Sequence, residues 1–253
     1  MQELNHRNST GLLVAVVGVA ASVFWCGTID SAAQIISANV DFSYVVRRAE
    51  ARAREPFIPP DRNVPECLRR DRLNEAQYQQ IHFRHERALW AADGLPFRLE
   101  FFHPGDVYQD PVHLSEFSAG YVQPIRFVQD FFRYGQLRLP QLPADTGYAG
   151  FRILHQLNTP AKWDELGAFL GGTYFRLLGK GQRYGQYARG LALDCGEPDR
   201  PEEFPLFTDW WIAKPSPGSS RVHAIALLDS ASATGAYEFK IVPGRTTIAE
   251  IQA

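Results

Sequence analysis

Between Gly171 and Asp194 three tyrosines and three arginines gather around a Gly179-Lys180-Gly181 turn: Tyr174, Tyr184, Tyr187, Arg176, Arg183 and Arg189. Strand-like arms flank that turn, so the segment reads as a hairpin. Aromatic faces beside planar guanidinium donors suit sugars, whose C–H patches stack on rings and whose hydroxyls take hydrogen bonds. The plainer reading is that half of these tyrosines fill a core. A phosphate loop is excluded, because the GxxxxGK[ST] spacing is absent and no helix start follows to receive an anion.

Other clusters carry weaker signals. Asp209-Trp210-Trp211, preceded by Glu202-Glu203-Phe204-Pro205, reads either as a stacking platform or as one core tryptophan and one covering an edge. Glycoside chemistry needs two carboxylates, one to protonate the leaving oxygen and one to activate water or attack. Asp194, Asp209 and Asp229 are the candidates, although hydrogen-bonding of turns is the simpler duty for each. His82 and His85 lie three apart with no third ligand nearby, which favours a polar surface over a metal site. Ser115, Ser118 and Ser230 lack a GxSxG elbow. Cys67 and Cys195 belong to no CxxC pair and read as two inert buried thiols.

The elements that must position these groups are mainly strands. Aromatics make up 13% of the 253 residues, and 17 Pro with 20 Gly break the chain often, which favours a β-rich fold over a helical bundle. Alternation with period two runs through Phe97-Arg98-Leu99-Glu100-Phe101, through Phe151 to Leu157, and through Tyr237-Glu238-Phe239-Lys240-Ile241. Such stretches, separated by Gly and Pro from about 95 to 253, predict a β-sandwich. One short amphipathic helix opens at Asp41-Phe42-Ser43, with Phe42, Val45, Val46, Ala49 and Ala53 on one stripe and arginines around the rest. Asn74 with Gln77 predicts a capping box and a second, short helix through about Ile81. Lys+Arg 26 against Asp+Glu 28 leaves no basic excess, so nucleic acid is excluded as a partner.

Residues 1–33 read as a secretory signal peptide. Arg7 precedes an uncharged run from Gly11 to Trp25, and Ser31-Ala32-Ala33 places small residues before a cut. That run is about 15 residues, short of the roughly 20 needed to span a membrane.

Across the mature chain, Tyr78-Gln79-Gln80-Ile81-His82-Phe83, Pro96 to Gly105, Gly147-Tyr148-Ala149-Gly150-Phe151-Arg152, Gly179 to Gly185, Ala188-Arg189-Gly190-Leu191-Ala192 and Ala226-Leu227-Leu228-Asp229-Ser230 are collinear strings. In order and spacing they resemble the glucan biosynthesis protein G/D family. The resemblance implies an exported periplasmic protein of osmoregulated periplasmic glucans, whose backbone is β-1,2-linked glucose. It implies a large N-terminal β-sandwich of the galactose mutarotase-like supersandwich type with a long cleft, and a smaller immunoglobulin-like C-terminal domain. Some members cleave or transfer glucan chains by an inverting-type mechanism.

Family chains are about twice as long as this one. The carboxylates expected to do that chemistry, in a His-Asp-Ser stretch and a later acidic residue, belong downstream of residue 253. No catalytic residue is therefore assigned. Residues 34–253 are expected to be an incomplete N-terminal sandwich without the immunoglobulin-like domain, and open strand edges should favour association. Tyr174, Arg176, Tyr184, Arg189 and Trp210 are the residues expected to line the cleft and position sugar rings. A β-glucan is the expected partner, with no cofactor and no metal. The competing reading is a non-catalytic protein that docks to the inner-membrane glucan synthase. Oligomeric state is not legible.

Overall fold

The computed structural model describes residues 36–37, 39–60 and 64–253, so the signal peptide expected at 1–33 lies outside the described residues. Helix α1 (Phe42–Arg52) begins where predicted: the Asp41 carboxylate accepts the Tyr44 backbone N–H at 2.7 Å. Helix α2 (Glu75–Tyr78) carries the expected reciprocal capping box between Asn74 and Gln77 but ends about three residues before the expected Ile81.

Among the described residues there are fourteen strands, numbered in chain order: β1 (Ile36–Ser37), β2 (His82–Phe83), β3 (Phe97–Phe102), β4 (His113–Ser118), β5 (Tyr121–Pro124), β6 (Phe132–Arg133) and β7 (Gly150–His155). They continue with β8 (Asp164–Leu170), β9 (Tyr174–Leu177), β10 (Ala188–Arg189), β11 (Leu206–Ala213), β12 (Val222–Asp229), β13 (Thr234–Val242) and β14 (Ile248–Gln252). A seven-stranded sheet has the order β1-β5-β4-β11-β12-β13-β14, and a five-stranded sheet the order β10-β9-β8-β7-β3. Strands β2 and β6 make a small ribbon. All pairings are antiparallel except β11 with β4.

The two large sheets face each other through aromatic side chains, as a β-sandwich requires. Phe151 and Phe169 of the five-stranded sheet pack on Trp210 at ring-centroid distances of 5.1 and 4.7 Å. Phe175 meets Phe239 across the same gap at 5.5 Å. The far side of the seven-stranded sheet is covered by α1, whose Val45 and Ala49 pack with Trp211, Ile225, Leu227 and Ala236. Gly150 marks the tightest backbone approach: at φ +154 a Cβ there would sit 2.1 Å from the Phe169 carbonyl oxygen.

Three sequence expectations need correction. Trp210 is 2% exposed and wedged among Phe151, Phe169, Phe207 and Phe239, so it offers no face to a ligand. The thiols are not both buried: Cys195 is exposed and donates to Glu202 at 3.1 Å, while Cys67 is half-buried, and both are free. The 171–194 hairpin is lopsided, its second arm being only Ala188–Arg189 after a connection over 178–187.

Two predictions follow from the core. Trp210→Ala should lower stability by about 3–5 kcal/mol, read from urea unfolding, because the aromatic cluster around it cannot collapse into the space. His103, 3% exposed, donates from Nδ1 to the Pro104 carbonyl and faces the Tyr134 hydroxyl from Nε2 at 3.1 Å. Burial pulls its pKa down from the ordinary 6.5 to about 4. The neutral ring therefore supports the fold fully above pH 6.5, and that support is lost as pH falls towards 4. Up to about 3 kcal/mol should disappear over that window, and His103→Gln should flatten the same part of the stability–pH curve.

Candidate functional site

The outer face of the five-stranded sheet carries the residues that alternate with the core row. On β3 these are Arg98, Glu100 and Phe102, because Phe97, Leu99 and Phe101 point inward. On β7 they are Arg152 and Leu154; on β9, Tyr174 and Arg176. Strand β10 adds Arg189, directly opposite Tyr174.

Strand β8 departs from strict alternation. Its register against β7 shifts between Ile153 and Leu154, so that Glu165 lies opposite Leu154 and Ala168 opposite Arg152. The extra residue is Leu166, which joins the core. By plain parity Glu165 would share the inward row of Phe169; the bulge turns it out instead.

The consequence is a row of charges across four neighbouring strands. Glu100, fully buried, accepts from Arg152 Nε at 2.8 Å and pairs with His85. Arg152 also stands 3.8 Å from Glu165, and Glu165 accepts from Arg176 Nε at 2.8 Å. Burial by itself would lower the Arg176 pKa, but the Glu165 hydrogen bond and charge reverse this and hold it above the ordinary value. Tyr184 is raised, first by burial and then by the Glu165 charge, so its hydroxyl stays protonated and donates to Glu165 at 3.4 Å.

This row divides a groove. On the Gly171 side a cavity of about 470 Å³ is lined by Phe102, Tyr108, Leu170, Tyr174, Arg176 and Tyr187. On the Asp164 side lies a cavity of about 720 Å³, lined by Arg98, Arg152, Trp163, Glu165 and Tyr184 among others. The 178–187 connection folds over the row: Arg176 stacks on Tyr184 at 4.2 Å and donates to the Tyr187 hydroxyl at 3.1 Å. Arg189 lies 5.0 Å from the Tyr174 ring centre and pairs with Glu202.

A profile of the periplasmic glucan biosynthesis protein family MdoG matches residues 40–253. The chain belongs to the MdoG family. Among its relatives, a glucans biosynthesis protein G of Bradyrhizobium diazoefficiens is 46% identical over 83% of this chain and 41% of its own length. Two proteins of the same name from Rhodopseudomonas palustris strains are 44% and 41% identical, over 85% and 94% of this chain. The chain spans less than half the length of these curated relatives.

In this MdoG-family chain the structure gathers Tyr174, Arg176, Tyr184 and Arg189 on one face and leaves Trp210 in the core. Glu100, Arg152, Glu165, Trp163 and Tyr108 were not expected there. Arg98, Glu100 and Arg152 were visible as the outward half of an alternating strand, but their pairing depends on register. The aspartates go elsewhere. Asp209 and Asp229 line a third cavity of about 600 Å³, which shares Gly171 and Gly172 with the groove. Arg52 Nε sits 3.1 Å from Asp229, and His113 lies 3.4 Å from Asp209. Asp194 is in a turn at φ +51 and faces Arg200 at 3.7 Å. Among the described residues no three His, Cys, Asp or Glu side chains gather as a metal site.

The row also predicts a mutational pattern. Glu100→Ala takes the nearest carboxylate from Arg152, which is part-exposed and keeps only Glu165 at 3.8 Å, and should cost about 1–3 kcal/mol of stability. The double variant Glu100→Leu, Arg152→Met should recover most of that loss in the same unfolding measurement, since removing both partners strands no charge.

Proposed function

We propose that this protein acts in the periplasm, exported by residues 1–33, and that residues 34–253 hold a β-1,2-linked glucan along the outer face of the five-stranded sheet during glucan biosynthesis. The observation that carries this reading is the charge row Glu100–Arg152–Glu165–Arg176 with aromatic faces on either side. Fixed donors and acceptors in the middle of a groove match hydroxyls, while Tyr174, Tyr184 and Tyr187 supply stacking surfaces. The family description and the names of the relatives agree with the substrate class. On this reading Tyr174, Arg176, Tyr184 and Arg189 position sugar rings.

Docking to the inner-membrane glucan synthase is the second reading. On that reading the groove takes no glucan.

Titration calorimetry with linear β-1,2-gluco-oligosaccharides tests the first reading. Binding is expected, with Tyr174→Ala and Tyr187→Ala each weakening it about three- to tenfold through lost stacking. Absence of binding at millimolar sugar, or unchanged affinity in both variants, would falsify it. Assaying the same mixtures for new reducing ends separates holding a chain from cutting one.

A further inference from the structure

The chamber on the Asp164 side of the charge row has an unbalanced set of ions. Its carboxylates are all engaged: Glu100 by Arg152 and His85, Glu165 by Arg176, and Asp164 by Lys162 at 3.3 Å and the Asn158 backbone N–H at 3.0 Å. Two guanidinium groups lining the same chamber, Arg98 and Arg183, make no ion pair among the described residues. The Arg98 Nε is buried and has no hydrogen-bond partner. Its guanidinium carbon lies over Trp163, 3.9 Å from the ring centre.

Stacking of this kind occupies the face of the guanidinium and leaves its in-plane N–H donors available. A half-buried cation without an anion is unfavourable, and a bidentate oxyanion is the ligand whose geometry best relieves it. We propose that this chamber is an oxyanion site in which Arg98, held on Trp163, grips a carboxylate or phosphoryl group with Arg183 at the rim. The proposal rests on the groove reading only insofar as the anion is borne by a sugar chain lying in that groove. The rest of the groove has no such excess: Arg176 and Arg189, on the Gly171 side, each have a carboxylate partner.

The full chain is titrated at low and moderate salt with glucose, glucuronate, glucose 6-phosphate and inorganic phosphate, by calorimetry and by tryptophan emission. The two charged sugars should bind at least about tenfold more tightly than glucose, with affinity falling as salt rises. Glucose 6-phosphate tighter than inorganic phosphate would assign the anion to a sugar, and equal affinity would assign a free anion; either supports the site. Arg98→Gln should abolish the preference for charge, and Trp163→Phe should remove the emission change. Should Arg98→Gln fold poorly, Arg183→Gln, at an exposed position, should still weaken phosphate-bearing ligands about threefold. Equal affinity for glucose and its charged derivatives, or a preference that survives both arginine substitutions, overturns the proposal. A neutral β-1,2-gluco-oligosaccharide titrated in parallel reports on the groove separately, so the two readings fail independently.

Discussion

A buried carboxylate must be paired, and Glu100 is buried completely. That constraint organises the outer face of the five-stranded sheet. Glu100 needs Arg152 directly across the ladder, and Arg152 then sits within 3.8 Å of Glu165, which in turn fixes Arg176. Each partner is held by the strand that bears it, so little side-chain freedom is left to lose when a ligand arrives. Long charged side chains on four different strands become a rigid rail. Tyr184 and Tyr187 are then recruited by the same rail, because the Arg176 guanidinium is both a stacking surface and a donor.

The rail depends on one irregularity. Without the bulge opposite Ile153 and Leu154, Glu165 would point between the sheets beside Phe169, where no cation could reach it without displacing the aromatic core. Conversely, Leu166 would then face the groove. The single extra residue in β8 thus places an apolar side chain inside and a carboxylate outside in one step. It also explains why the core and the groove meet along one strand without either being compromised.

How much of this was legible in the sequence follows from the range of the interactions involved. Both helices declare themselves through caps a few residues away, Asp41 for α1 and Asn74 with Gln77 for α2, and both begin where read. Strands β3, β7 and β13 show the period-two pattern because one face of each meets a core. Glu165 was not legible, since parity alone assigns it inward and only the pairing with β7 reveals the bulge. Trp210 misled for a related reason. Trp210 and Trp211 are adjacent, so one must face each side of the sheet, and only the presence of α1 on the second side makes both buried. The burial of Glu100 is likewise a property of its neighbours Arg152 and His85, which come from distant segments.

Which of the two sheets offers a working face is decided by what its outward row is made of. Along β11 and β12 the residues pointing away from the sandwich core include Trp211, Ile225 and Leu227, and such a row must be covered; α1 does so, with Arg48 laid over Trp211 at 5.3 Å. Along β3, β7, β8 and β9 the corresponding positions include Glu100, Arg152, Glu165 and Arg176. These can neutralise one another within the sheet and need no helix on top. The five-stranded sheet is therefore left open by its own chemistry. Its groove is the side of a sandwich where charge pairing along the strands takes the place that helix packing holds on the other side.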